Sequence, residues 1–304
     1  MARVVFLGTP EAAVPTLERL SPEHEVALVV TQPDRAKGRS GTPSPPPVKE
    51  AATRIGLPVA QPENGDQLAS TLQEHGPFDV GVVVAYGRIL KPAVLDMPEH
   101  GMVNVHFSLL PRWRGAAPVV RALMAGDSMT GVTLMRLDES LDTGPILTAQ
   151  AIDIPADDDA GALTDRLAEL GARLLVDKMP AYLAGHIEPV PQSDEGLTYA
   201  DKIERGDRPI DVLGDTEEAL RKIRALAPSP AATLVLDGDP HKIFAARPDE
   251  AHLEPGTWAA AEGRLLASLA HGTIELVRLQ PPGKRAMSGP QWVNGKQEDH
   301  GVIA

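Results

Sequence analysis

The chain has 304 residues, 42% of them hydrophobic and 23% charged, an ordinary globular balance that predicts two domains, each with its own core. It contains no cysteine, which excludes disulfides, cysteine-ligated zinc and a thiol nucleophile and fits a reducing compartment. A net charge of −13 argues against a general polyanion binder while leaving room for local basic patches.

The opening MARVVFLGTPEAAVP lacks the long apolar region of a secretory signal. No apolar run approaches the ~20 residues of a membrane helix, so a cytoplasmic protein without membrane spans is expected. In chain order, ARVVFLG (2–8) reads as a buried strand. Thr9, Pro10 and Glu11 follow as a helix start, with Thr9 the candidate N-cap and Pro15 expected to kink or delay the helix. EVALVVTQ (25–32) is a second strand, and PDRAKGRSGTPSPPPV after it is a long loop. A helix end and a short strand follow in AATRIGLPVAQP, then FDVGVVVAYG (78–87), apolar on both faces as a central parallel strand is. MVNVHF (102–107) and GVTLMRL (131–137) are further strands, GPILTAQAIDIP (144–155) an extended segment closing the sheet, and 159–183 a helix with apolar residues at three- and four-residue spacing.

Strands alternating with helices predict an α/β fold: a doubly wound, Rossmann-like, mostly parallel sheet over 1–188. A polar linker is expected at 189–208. Over 209–304, Asp215 and Glu218 open a helix, and Asp237-Gly238, Glu262-Gly263 and His271-Gly272 punctuate short strands. This part reads as a smaller β-barrel or sandwich.

Chemistry concentrates in NVHFSLLPRWRGAAP (104–118). Asn104 and His106 stand two residues apart on one strand and so share a face. Asp142 lies in a Gly- and Pro-punctuated loop after the next strand. If those two strands run parallel, amide, imidazole and carboxylate converge at one sheet edge as a workable acyl-transfer site. On spacing alone, a hydrogen-bonded structural histidine accounts for His106 as well. No G-x-S-x-G surrounds Ser108, Gly8 opens no G-x-G-x-x-G, and no histidine pair has metal-ligand spacing, so no metal is expected. Two basic islands, Arg35, Lys37, Arg39 and Lys49, then Arg278, Lys284, Arg285 and Lys296, contain no acid. Two solvated loops would explain them equally.

FLGTPEAAVPTLERL, TQPDRAKGR, VVVAYGRIL, the 104–118 segment and its continuation, TGVTLMRLDESLDTGPIL, TYADKIERGDRPID and LQPPGKRAM occur in the order seen in methionyl-tRNA formyltransferases. The chain resembles that family from Phe6 to about Met287. SLLP with its upstream N-x-H and downstream LDTG also resembles folate-dependent formyltransferases acting on glycinamide ribonucleotide or sugars. The resemblance implies 10-formyltetrahydrofolate as donor substrate, no bound cofactor, and the α-amino group of methionine on initiator tRNA as acceptor. It implies Asn104, His106 and Asp142 as catalytic residues: oxyanion donor, formyl polariser or proton shuttle, and holder of His106. Tyr86, Gly87, Ser108, Leu109, Leu110 and Pro111 match its folate-binding positions. Arg35, Lys37, Arg39, Arg112, Arg114, Lys284 and Arg285 would meet tRNA, the last two on an OB-like C-terminal barrel. Val212 and Pro228-Ser229-Pro230 stand where the family commonly carries aromatics, so electrostatic docking rather than base stacking is expected of that domain. A small amine acceptor is the alternative substrate, a non-catalytic RNA-binding module is a third reading, and a monomer is expected.

Overall fold

The computed structural model describes residues 1–36, 41 and 43–304. It divides into two compact units: Met1–Pro118 with Met129–Asp153 and Thr164–Ala200, and Val119–Ser128 with Ile154–Leu163 and Asp201–Ala304.

The first unit is built on a seven-stranded sheet ordered Ile146–Asp153, Met129–Arg136, Met102–His106, Val80–Val84, Arg3–Gly8, Glu25–Val30, Val59–Ala60. Val80–Val84 and Met102–His106 are buried at every position, which is why their sequences show continuous apolar runs rather than alternation. The five strands from Met102–His106 to Val59–Ala60 pair in parallel. The sheet is therefore mostly parallel, as the alternation of strands and helices predicts.

One expectation is corrected. Met102–His106 and Met129–Arg136 pair antiparallel, with His106 opposite Thr133 and Val103 opposite Arg136. A strand buried on both faces shows the same apolar pattern in either direction, so periodicity could not reveal the reversal. Ile146–Asp153 adds a further antiparallel strand at the edge.

Helices cover this sheet through identifiable contacts. Val5, Leu7, Leu28 and Val30 pack with Leu68, Leu72, Val94 and Leu95, the latter from helices Gly65–His75 and Pro92–Leu95. Asn64 caps the first of these helices, accepting from the Asp66 and Gln67 amides. Within helix Ala160–Leu183, a Cβ at Gly171 would lie 2.5 Å from Val105 Cγ1. Only glycine permits that approach, and it seats the helix on the Val105 face, opposite Asn104 and His106. Thr9 caps nothing: its hydroxyl donates to the Tyr86 carbonyl at 3.0 Å. A short 3-10 turn, Glu11–Ala13, delays helix Val14–Leu20, whose first turn holds Pro15, a position where the missing N–H costs nothing.

In the second unit the strands run Ala232–Leu236, Asp239–Asp249, Gly272–Gln280, Arg264–Leu269, Thr257–Ala261, His300–Val302, with Met287–Ser288 beside Gly272–Gln280. All these pairs are antiparallel. Leu236 bridges Ile303, so the two ends of the path meet. Two of the turns have consecutive positive φ, at Asp237 (54°) and Gly238 (85°), and at Glu262 (51°) and Gly263 (75°), the conformation that two-residue hairpins favour. Helix Thr216–Leu226 is capped by Asp215, which accepts from the Glu218 amide at 2.7 Å. It places Ala219, Ile223 and Leu226 in a core with Trp258, Leu265, Ile274, Leu276 and Trp292.

Candidate active site

Asn104 and His106 are the polar positions of an otherwise apolar strand, only 9% and 5% exposed. Burial of such groups is affordable only where they are hydrogen-bonded. The chain leaving the strand is stitched into a tight turn: the Ser108 hydroxyl donates to the Arg112 carbonyl at 2.6 Å. The Thr133 hydroxyl donates to the Ser108 carbonyl at 2.7 Å and accepts from the Leu110 amide at 3.1 Å. Trp113, at φ 64°, then turns the backbone back. Its carbonyl oxygen lies 2.9 Å from His106 Nε2.

Asp142 arrives from the loop after Met129–Arg136. Because that strand runs antiparallel, its carboxyl end lies beside the start of Met102–His106, and the loop must fold back to reach the site. Several restraints make it do so. The Asp138 carboxylate accepts from the Ser140 amide at 3.2 Å and the Thr143 hydroxyl at 2.8 Å. At Gly144 a Cβ would lie 1.9 Å from the Arg136 carbonyl oxygen, so the crossing admits only glycine.

The Asp142 carboxylate thereby joins three segments. Its Oδ1 accepts from Asn104 Nδ2 at 3.4 Å, and its Oδ2 accepts from the Gly115 amide at 2.9 Å. His106 Nδ1 lies 3.7 Å from Oδ2, an electrostatic contact rather than a hydrogen bond. A carbonyl can only accept, so His106 Nε2 carries a proton toward Trp113 and Nδ1 faces the carboxylate. Amide donor, imidazole and carboxylate thus meet at one point, which suits oxyanion stabilisation combined with proton transfer. Convergence comes from the folded-back loop, not from a shared parallel edge.

The remaining sequence-derived residues divide. Tyr86 is 2% exposed, its ring lies in the core with Leu68, Leu72 and Leu90, and burial pushes its phenol pKa up. The main chain on either side of it has positive φ, at Ala85 (47°) and Gly87 (85°). The hydroxyl of Ser108 is occupied by its turn, and Leu110 is buried. Leu109 and Pro111 are half-buried, with Leu109 packed against Gly131. Arg112 lies over the Trp113 ring at 4.4 Å. Arg114 is a correction: it is 6% exposed and its Nε donates to Gln192 Oε1 at 2.9 Å, so it has no open face for tRNA.

Arg35 is exposed, in a short ladder pairing Arg35–Ala36 with Pro43–Ser44. Lys37 and Arg39 lie outside the described residues. Lys49 donates to both Asp34 oxygens, at 2.8 and 2.9 Å, and these bonds, with one from Gln61, hold the Asp34 carboxyl below the usual carboxylate range. Lys284 and Arg285 are exposed, whereas Lys296 pairs with Asp237 at 2.8 Å over the Trp292 ring. Both basic islands are smaller than their sequences suggest. Among the described residues no group of three or more His, Cys, Asp or Glu could hold a metal, and no helix is long and apolar enough to cross a membrane.

Sequence reasoning missed the Trp113 carbonyl, the Gly115 amide and Gln192. Gly115, at φ 122°, was readable as a backbone position; Gln192 carried no signal, falling in a stretch that looks like linker.

Residues 2–179 match the formyl transferase family and 202–297 the formyl transferase C-terminal domain. The chain is 49% identical to the methionyl-tRNA formyltransferase of Halorhodospira halophila, over 97% of each chain. It is 44% identical to that of Aromatoleum aromaticum, over 96% of this chain and 94% of that one. Among solved structures, a HypX variant from Aquifex aeolicus shares the fold at 18% identity and a TM-score of 0.71, over 97% of this chain and 49% of that longer one. With the amide, imidazole and carboxylate brought together as described, this chain belongs to the formyl transferases, among the methionyl-tRNA formyltransferases.

Proposed function

We propose that the chain transfers the formyl group of 10-formyltetrahydrofolate to the α-amino group of methionine on initiator tRNA. The observation that carries the chemistry is the Asp142 carboxylate, shared by the Asn104 amide, the Gly115 amide and the His106 imidazole. The acceptor amine must attack as the free base, and an α-amino pKa near ~7.7–8.0 leaves part of it neutral at physiological pH. Attack on the formyl carbon puts negative charge on the formyl oxygen. Asn104 Nδ2 has a second proton to donate to it. The proton shed by the amine passes to the His106–Asp142 pair and ends on N10 of the departing tetrahydrofolate. His106 Nδ1 is the free position for that proton, since Nε2 is committed to Trp113.

Folate contacts are assigned to the Ala85–Gly87 backbone and to the Leu109–Pro111 turn. For tRNA, the exposed Arg35, Lys284 and Arg285 are assigned phosphate contacts, with Lys37 and Arg39 extending the same loop and Arg112 beside the site. Arg39→Ala should then raise the KM for tRNA alone. The closed antiparallel sheet of the second unit is read as OB-like. With Trp258 and Trp292 both in its core, it docks by charge rather than by base stacking. A cytoplasmic monomer fits this role.

The test is formyl transfer to charged initiator tRNA, run beside charged elongator methionine tRNA and glycinamide ribonucleotide. Transfer to the initiator alone is the expected result. Transfer only to the small amine would retain the folate chemistry and overturn the tRNA assignments.

A further inference from the structure

Gln192 lies in a segment with no regular structure, yet all three of its amide functions are used. Its Nε2 donates to the carbonyls of Asp142 and Gly144, both at 2.8 Å. Its Oε1 accepts from Arg114 Nε at 2.9 Å. The residues beyond it hold the other loop: the Thr198 hydroxyl accepts from the Trp113 amide at 2.9 Å, and Tyr199–Ala200 pairs with Arg114–Gly115.

We infer that Gln192, anchored by Arg114, is a positioning residue that sets Asp142 against Asn104 and His106; the inference rests on the acyl-transfer reading of Asp142. Asp142 sits at φ 52°, a backbone conformation that costs a non-glycine residue energy and persists only when its surroundings hold it. Two donations from one amide clamp the Asp142–Thr143 and Gly144–Pro145 peptides. The Cα of Asp142 then has a set place, from which the carboxylate reaches the Gly115 amide. Gln192 ties that loop to the side chain of Arg114, the residue before Gly115, so one side chain links the Asp142 loop to the segment that supplies the Gly115 amide. The chemistry requires an amide of this length. Glutamate cannot donate, lysine cannot accept, and asparagine is one methylene short.

Gln192→Glu isolates the effect. It preserves the size and the acceptor for Arg114, and replaces two donations by repulsion from two carbonyls. Displacing a reacting group by about 1 Å can cost on the order of 100-fold in rate. The variant's kcat should fall by roughly that factor, with KM for donor and tRNA each within about twofold of the parent. Gln192→Leu, which removes the clamp without adding charge, should show the same split if the glutamate variant is poorly folded. In the Asp142→Ala background, Gln192→Glu should cost nothing further. A loss appearing in KM for the folate would make Gln192 a donor contact and overturn the positioning role. A fully additive loss in the double variant would overturn the clamp while leaving Asp142 its function. An Asp142→Ala enzyme of full activity would overturn the reading of Asp142 and the clamp with it.

Discussion

His106 Nε2 lies 2.9 Å from the carbonyl oxygen of Trp113, and this hydrogen bond, not the looser 3.7 Å contact with Asp142, orients the imidazole. The carboxylate is left to respond to charge on the ring. Glutamine at this position could mimic the Nε2 donation but has no second nitrogen to take a proton. His106→Gln should therefore lower kcat by about 10²–10⁴-fold, the usual worth of a general acid–base group, with the folate dissociation constant unchanged. Single-turnover transfer and equilibrium folate binding would be compared. Parallel losses in both would show that His106 only builds the pocket.

Gly144 tests the folded-back loop. A Cβ there meets the Arg136 carbonyl, a backbone atom that cannot swing away. Gly144→Ala should cost about 1–3 kcal/mol by overpacking and should displace Asp142, lowering kcat more than stability alone explains. At Gly206 an added Cβ meets nothing within 4 Å, so Gly206→Ala serves as the control. Urea unfolding of both variants, alongside kcat, checks this; equal behaviour would refute the close crossing.

Two buried histidines predict the acid side of the stability profile. His24 Nδ1 accepts from the Ala2 amide at 3.2 Å, and His241 Nε2 accepts from Trp292 Nε1 at 3.0 Å. Both rings must be neutral to accept. Burial lowers the pKa of each; the N-terminal ammonium adds to the effect at His24, and Lys296 adds to it at His241 against the Asp239 carbonyl bond. A group with a lowered folded-state pKa takes up its proton first in the unfolded chain. Its stabilisation is fully present above the unfolded value of ~6.5 and is lost as pH falls through the folded one. The exposed His300, raised by Asp299, works in the opposite direction. Denaturation midpoints measured from pH 7.5 to 5 should fall, and His241→Phe should flatten the slope. An unchanged slope in that variant would assign the acid sensitivity elsewhere.

Salt dependence separates cations that are open from those that are consumed. Lys284 and Arg285 face solvent, while Lys49 and Lys296 are held by Asp34 and Asp237. Each phosphate contact contributes about 0.7–0.9 to the log–log salt slope of binding. Lys284→Ala and Arg285→Ala should each reduce the slope for tRNA by roughly that amount. Lys49→Ala and Lys296→Ala should leave it unchanged and lower stability instead. Equal slopes for all four variants would refute the distinction.

The buried strands, the Asp215-capped helix and the turns at Asp237-Gly238 and Glu262-Gly263 were legible because each is a local matter: side-chain periodicity, a capping oxygen, two residues with positive φ. Asn104 and His106 were legible for the same reason, since spacing along one strand puts them on one face. The direction of Met129–Arg136 was not, because strand polarity leaves no trace in the pattern of a strand buried on both faces. The partners of Arg114, Lys49 and Lys296 were not legible either: charge is visible in a sequence, but Gln192, Asp34 and Asp237 meet those side chains only through the fold.

By itself the sequence determined the order of the elements, the two cores and the placing of Asn104 and His106 on one face of a strand, all of which follow from short-range pattern. Only the tertiary structure decided that Trp113 orients His106, that Gly115 holds Asp142, and that Gln192 reaches back 50 residues to the Asp142 loop. Hydrogen-bond partners are chosen by distance and direction in space, and those exist only once the sheet has formed and the loops have closed over it.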